Sequence, residues 1–316
     1  MKRLLTILII LLYVHNAFAY PISPQTLRKL IANSQYIVIA LVDNPETGGK
    51  KFFDPKTKDT LEYFTFGGDG LADLYIKEVL KGKPDNLEHI MVSYEAGMIC
   101  PAPPDYPDKK MVIAFLGKED TSKTYYTIGL SYGSKIMEND IEINAFKTRI
   151  LEYIEILKIN NKRNRELATI EWLVKCAENK YTRWEGAYEL SRKGDFMSYY
   201  DYSKDEQFHK ELSKSQLQRL DSVFFATDTI SYKEMCLSNL ISKDNYPKLK
   251  KHLLKNLPHS HYYMVTDIMK KIIEISPNDE LMKIVTEVED ISYDDKEREY
   301  IQKLLVDKFV AIASSQ

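Results

Sequence analysis

The sequence predicts an α+β protein of two domains: a small β-barrel of five to six strands with one packing helix, then an all-α domain. Three observations carry this. Ten of the 12 glycines and nine of the 12 prolines lie before residue 158, and turn formers crowd where strands reverse. Apolar residues in that first half alternate with polar ones, whereas later they recur at helical spacing. The balance of 44% apolar and 28% charged residues is that of a folded chain, and 316 residues can bury two modest cores without a disulfide framework.

The chain opens on an address. Lys2 and Arg3 form a positive start, residues 4–12 an apolar run, and Ala17-Phe18-Ala19 a small-x-small cleavage site before Tyr20, the pattern of a secretory signal peptide. The run is short of the roughly 20 residues that span a bilayer. No cysteine follows the cleavage site to mark a lipoprotein, and no later stretch reads as a membrane span. The expectation is an exported protein, periplasmic or extracellular, with no membrane insertion once the leader is removed.

Strands follow. Residues 36–42 are a β-branched run, and residues 63–66 are a shorter candidate ended by Gly67-Gly68-Asp69-Gly70. Ala72, Leu74 and Ile76 alternate with Asp73, Tyr75 and Lys77, the period-two pattern of a half-buried strand. Residues 82–86 make a turn, and residues 89–94, 111–116 and 124–128 complete the set. Asn139, with Glu142 three residues on, starts a helix. Its Ile143, Phe146, Ile150, Ile154 and Leu157 share one face. Short strands followed by one helix suggest a small closed or partly open barrel with the helix over an end.

Three stretches of this half carry a family resemblance: Ala72-Asp73-Leu74-Tyr75-Ile76-Lys77-Glu78-Val79-Leu80-Lys81-Gly82, Cys100-Pro101-Ala102-Pro103-Pro104 and Val112-Ile113-Ala114-Phe115-Leu116. Residues 26–158 resemble bacterial secreted domains of the netrin-like, tissue-inhibitor-of-metalloproteinases type. That resemblance implies an oligonucleotide/oligosaccharide-binding (OB)-type barrel and a bacterial source. It does not carry inhibition across: the animal inhibitors offer the protease metal an N-terminal cysteine, whereas this chain would begin at Tyr20, and their disulfide framework is missing.

The polar run 160–164 marks the domain boundary, near residues 159–163. Beyond it, Leu167, Ile170, Val174 and Ala177 fall on one helical face. Residues 184–190, 215–225, 232–241, 247–257, 261–275, 277–288 and 294–312 read as further helices, Gly194 as a stop after the first. Ser276-Pro277-Asn278-Asp279 reads as a serine cap, a proline at N1 and an acid in the first turn. Short polar links suggest antiparallel hairpins, stacked as in HEAT-type α-solenoids or gathered into a bundle.

Charge excludes one class of partner. Residues 20–158 carry 17 basic and 20 acidic groups, and residues 159–316 carry 25 and 26, so neither half has the basic footprint of a nucleic-acid binder. Lys248, Lys250, Lys251 and Lys255 read as a solvated helix face. Three cysteines cannot all pair; Cys176, beside Leu173 and Ala177, favours a buried thiol over a bridge to Cys236.

Most motifs with chemical potential lack the context their chemistry needs. Gly129-Leu130-Ser131-Tyr132-Gly133 fits G-x-S-x-G, but a nucleophile elbow needs a helix straight after the serine, and residues 134–138 do not begin one. His259-Ser260-His261 would place its imidazoles on different helix faces with no further ligand nearby in sequence. Asp140, Glu142 and Asn144 lack the glycine and final glutamate of a calcium loop and suit capping better. Gly67-Gly68-Asp69-Gly70 lacks what a phosphate cradle requires. No catalytic, cofactor or metal residue is therefore assigned. Four prolines within residues 100–107 impose an extended backbone that loses little entropy on binding; Pro101, Pro103, Pro104 and Tyr106 are the candidate partner contacts. The expected function is a monomeric, exported, non-catalytic binding or scaffold protein for a protein or glycan partner. The alternatives are a protease-inhibitor-like protein built on the barrel, or a serine hydrolase using Ser131.

Overall fold

A computed structural model describes residues 24–46, 50–53, 60–63, 69–95, 102–191, 208–292 and 297–315; the expected leader, residues 1–19, lies outside them. The described residues divide after Lys158 into two compact units.

The first unit contains α1 (Leu27–Asn33), then β1 (Tyr36–Glu46), β2 (Lys50–Phe53), β3 (Thr60–Tyr63), β4 (Asp69–Lys81), β5 (His89–Glu95), β6 (Met111–Gly117), β7 (Tyr125–Thr127), β8 (Ser134–Met137) and α2 (Asp140–Leu157). Five strands close a barrel in the order β1-β4-β5-β7-β6, with β6 returning to β1. Within it β5 and β7 are parallel and the other neighbours antiparallel. This is an OB-like barrel. β2 and β3 form a separate hairpin, and β8 extends β6.

Closure depends on β1, which pairs with β4 along one edge and β6 along the other. Its register against β4 shifts between Ile37 and Val38, between Ile39 and Ala40, and between Asp43 and Glu46. Such bulges bend a strand and increase its twist, as a small barrel requires. The interior is filled by alternating residues: Val38, Ala40 and Val42; Ala72 and Leu74; Ile90 and Val92; Val112, Ala114 and Leu116. Ile37, Ile113 and Phe115 sit between these positions yet are also fully buried, so part of the outer face is covered too. One packing helix was expected; α1 adds a second, burying Leu27, Leu30 and Ile31 and packing on α2. Lys81 Nζ donates to the Ile31 carbonyl at 2.6 Å, tying the end of β4 to α1.

Several expectations shift locally. Tyr63 ends β3, and residues 64–68 lie outside the described residues. Asp69 and Gly70 belong to β4, not to a turn. Asn139 caps α2 as expected, its Oδ1 accepting from Glu142 N at 3.0 Å, and the Glu142 carboxylate accepts from Glu138 N rather than from the cap residue's own N–H.

The second unit holds α3 (Lys162–Glu178), α4 (Arg183–Leu190), α5 (Lys214–Phe225), α6 (Tyr232–Ser238), α7 (Tyr246–Asn256), α8 (Tyr262–Ile275), α9 (Asp279–Glu289) and α10 (Arg298–Ser314). Part of the polar run expected as linker is helix: Asn161 caps α3 through Asn164 N at 2.9 Å. At α9 the cap is Asn278, which accepts from Leu281 N, so Ser276 and Pro277 stay outside the helix. α3 packs on α4 and α5, α4 on α6, α8 on α7 and α9, and α9 on α10. Trp172, Leu173, Phe224, Ile268 and Phe309 are among the fully buried side chains. Cys176 and Cys236 are both buried free thiols, and burial pushes the Cys236 thiol up to about 12.

Polar layers join these helices. Arg219 on α5 grips Glu178 with Nε and Nη2 at 2.7 and 2.6 Å and reaches Glu171 at 2.8 Å. Burial opposes ionisation of Glu171, but hydrogen bonds from Gln216 and Arg219 outweigh it and lower its pKa. Between α4 and α6, Arg183 Nη1 meets Glu234 Oε1 at 2.8 Å with both side chains largely enclosed. No described helix is long and apolar enough to cross a membrane.

Candidate functional site: a tyrosine-lined groove on the barrel

A groove of about 570 Å³ opens beside the short strand β7. Strand β7 is only three residues long and pairs with β5 at Val92 and Ser93 alone, so the last turn of β5 has no neighbour from β7. The gap is bounded by Gly70 and Leu71 of β4, Ser93 and Tyr94 of β5, Pro104, Tyr126 and Thr127 of β7, and Leu130. That volume falls within the range of small-ligand sites.

Two cross-strand pairs shape it. Gly70 stands opposite Tyr94, and Gly117 opposite Tyr126. A Cβ on either glycine would come within 2.5 Å of the facing ring's Cζ, so each tyrosine lies across the sheet on space that only glycine leaves open. Tyr126, the residue after the buried Tyr125, points outward and is 41% exposed. Tyr94 is half-buried and sits 5.4 Å from the Tyr106 ring.

The proline-rich segment forms a fixed wall. Ser131 N donates to the Ala102 carbonyl at 3.2 Å, Asp105 N donates to Ser134 Oγ at 2.8 Å, and the hydroxyls of Tyr106 and Thr127 are 2.6 Å apart. Pro104 is buried at the groove edge and Pro103 half-buried; Pro101 lies outside the described residues. Tyr106 has a different place from the one expected. It is 2% exposed and packs in the barrel core, so it anchors the segment from inside rather than offering an aromatic surface. Burial raises the pKa of both the Tyr106 and Tyr94 hydroxyls, with Asp105 adding to the second. Among the described residues no charged side chain lines the groove, so these residues present a neutral surface of rings, proline and hydroxyls.

The G-x-S-x-G stretch is accounted for by this wall. Gly129 and Leu130 both have positive φ, 79° and 55°, and a Cβ on Gly133 would collide with the Ile128 carbonyl oxygen. Both glycines are thus required by the turn. Ser131 lies in a 3-10 turn that leads into β8, where an elbow would have a helix. A left-handed non-glycine such as Leu130 is costly and persists where its surroundings hold it; here it is a groove-lining residue.

Other sequence candidates are dispersed. His259 lies in a 3-10 turn and His261 precedes α8, its ring 4.2 Å from that of Tyr263. Among the described residues, no three His, Cys, Asp or Glu side chains gather as a metal site. Asp140 and Glu142 occupy the first turn of α2. Tyr94, Tyr126, Leu71 and Leu130 were not singled out by sequence reasoning. The available signal was a glycine and a tyrosine on neighbouring strands, which becomes legible only with the register. No family model and no curated protein matches the chain.

Proposed function

We propose that the protein is an exported, non-catalytic binding protein whose barrel groove holds a neutral segment of a protein or glycan partner. The observation that carries this reading is the pair of tyrosine rings laid over glycines beside a pinned proline wall. Tyrosine offers a large, rigid contact at low entropic cost, and a wall already held by three hydrogen bonds loses little freedom on binding. The groove also touches β4 and β5, the second and third strands of the barrel, and that is the face through which OB barrels bind their ligands. The netrin-like likeness and the leader-like start are consistent with an exported module, and both belong to this proposal.

The test is an array of neutral oligosaccharides and proline-rich peptides probed with the mature chain, repeated with Tyr126→Ala. A retained ligand should lose roughly tenfold or more in affinity with the variant, since base or ring stacking on an aromatic is worth about 1–3 kcal/mol. Equal binding by both proteins would remove the groove from the account.

A further inference from the structure

We propose that the flank of α10 facing α7 is a second docking site, built for an amphipathic helix of a partner protein that is acidic where it passes Lys250, Lys251 and Lys255. It is independent of the barrel groove and lies wholly within the helical unit.

Two depressions, of about 340 and 500 Å³, lie along α10. The residues α10 contributes to them include Glu299, Lys303, Val306, Val310 and Ser314, spaced by three or four and therefore on one helical stripe. The facing wall is equally continuous. Leu254 and Lys255 line the second depression, and Leu257 and Pro258, immediately after them, line the first. Residues 247–255 share the second depression with residues 310–314, and residues 257–265 share the first with residues 299–307, so the two segments run antiparallel and the depressions follow each other along them. From Glu299 to Ser314 the trough is about 22 Å long at 1.5 Å per residue, or four helical turns.

Its chemistry is asymmetric. The floor is apolar, with Val306 and Leu257 buried and Leu254 and Val310 half-buried. At the Ser314 end the charged residues are all cationic: Lys250, Lys251 and Lys255. The whole of α7, Tyr-Pro-Lys-Leu-Lys-Lys-His-Leu-Leu-Lys-Asn, contains no acid. Lys250 reaches only the Ser276 hydroxyl, at 3.4 Å, and among the described residues none of the three lysines is in an ion pair. The other end is mixed, with Glu299, Lys303 and Asp307.

A straight trough between antiparallel helices, with an apolar floor at helical spacing and a charged rim, matches a third helix laid in it, its apolar residues at i, i+3, i+4 and i+7. Three unneutralised lysines specify acids on that helix at one end. This sharpens the reading of these lysines as a merely solvated face: Lys248, whose ammonium lies 3.9 Å from the centre of the Phe225 ring, does not line the trough, whereas the other three do.

The experiment uses the mature full-length chain and a fluorescein-labelled peptide of about four turns, with leucine on one face and glutamate on the other. A matched peptide carries lysine for glutamate. Fluorescence anisotropy should show the glutamate peptide bound, more weakly as salt rises. The triple variant K250E/K251E/K255E should weaken it roughly tenfold or more and make the lysine peptide the better ligand, since reversing rim charges reverses electrostatic preference. Lys248→Glu should leave the preference unchanged, and circular dichroism should show native helix content in both variants. The proposal is overturned if the glutamate peptide does not bind, or if the triple variant keeps the original preference. It is equally overturned if anionic vesicles bind in place of the peptide, or if sedimentation shows a dimer that the triple variant dissolves, which would seat a lipid surface or a second copy there instead.

Discussion

Removing Arg183 should cost the helical unit more than removing Arg183 and the charge of Glu234 together. In the native protein the two side chains are 12% and 4% exposed and 2.8 Å apart. Arg183 Nε also donates to the Ala177 carbonyl at 3.1 Å. Glu234 accepts in addition from the backbone N–H and the hydroxyl of Ser231, capping α6. In Arg183→Met the methionine fills much of the space, but the carboxylate keeps its charge with only Ser231 as partner. Leaving a buried charge unpaired costs about 3–5 kcal/mol. Changing Glu234→Gln in that background keeps the shape and the acceptor for Ser231 and removes the charge. The double variant should therefore recover about 1–3 kcal/mol relative to Arg183→Met alone. Urea denaturation followed by tryptophan fluorescence reads this unit selectively, because both tryptophans, Trp172 and Trp184, belong to it. With a slope of about 2 kcal/mol per molar urea, the recovery should move the midpoint upward by about 0.5–1.5 M. If Glu234→Gln is neutral or further destabilising in the Arg183→Met background, the carboxylate is not the source of the cost and the reasoning fails.

Other consequences can be measured on the same protein. Gly186→Ala should destabilise the helical unit by about 1–3 kcal/mol or more, because the new Cβ would strike the Leu173 carbonyl and come within 2.6 Å of Ala177 N; a loss under about 0.5 kcal/mol would show a looser crossing of α3 and α4. Tyr106→Phe should cost the barrel about 1 kcal/mol for its bond to Thr127, and Tyr106→Ala about 3–5 kcal/mol for the lost ring, compared by calorimetry; equal losses would mean that the ring contributes little. The His252 imidazole packs beside Phe224 and Phe225, and burial, aided by Lys255 and Lys248, lowers its pKa. The unfolded chain takes up that proton first, near pH 6.5, so stability should fall as pH drops through 6.5 and level off below the folded pKa. His252→Leu should flatten that stretch of the pH profile. Asp221 and Asp267, raised chiefly by burial, act oppositely: the folded chain takes up their protons first, so their contribution to stability grows as pH drops from the raised pKa to the usual carboxylate range.

The barrel was legible because its strands alternate: Ala72, Leu74 and Ile76 in β4, and the glycine-bounded runs around them, identify strands without any partner. What alternation cannot give is pairing. The residues of the groove come from β4, β5, β7 and the proline segment, and Tyr94 and Tyr126 gain meaning only when Gly70 and Gly117 are found opposite. Tyr106 misled for a related reason. Among four prolines it reads as a loop aromatic, yet its hydroxyl meets Thr127 across the barrel interior. β8 was missed because Ser134-Lys135-Ile136-Met137 is too short to show a period. In the helical half periodicity located nearly every segment, and the errors fell at helix ends: Asn278 rather than Ser276 caps one helix, and Asn161 starts another inside the polar run read as the boundary. The trough along α10 was half visible, as lysines on α7; part of their apolar floor, Val310, comes from a helix 55 to 60 positions later in the chain.

The way β1 closes the barrel also sets the order in which the chain can be assembled. Tyr36 must find Leu116, about 80 positions along, before the barrel closes, whereas α7, α8 and α9 each meet the next helix in the chain. Closing a long loop precedes any return from the contacts it brings together, so chains rich in distant pairings fold slowly and those rich in neighbouring contacts fold fast. The helical unit should thus complete first in refolding, read by its tryptophans, with barrel closure following as a slower phase read by amide-exchange protection of β1 and β6. During that interval β1 and β6, both rich in valine and isoleucine, are open edges able to pair with another chain. The price of a closed barrel is a period of stickiness before it closes, and the first-made strand is the one exposed for longest.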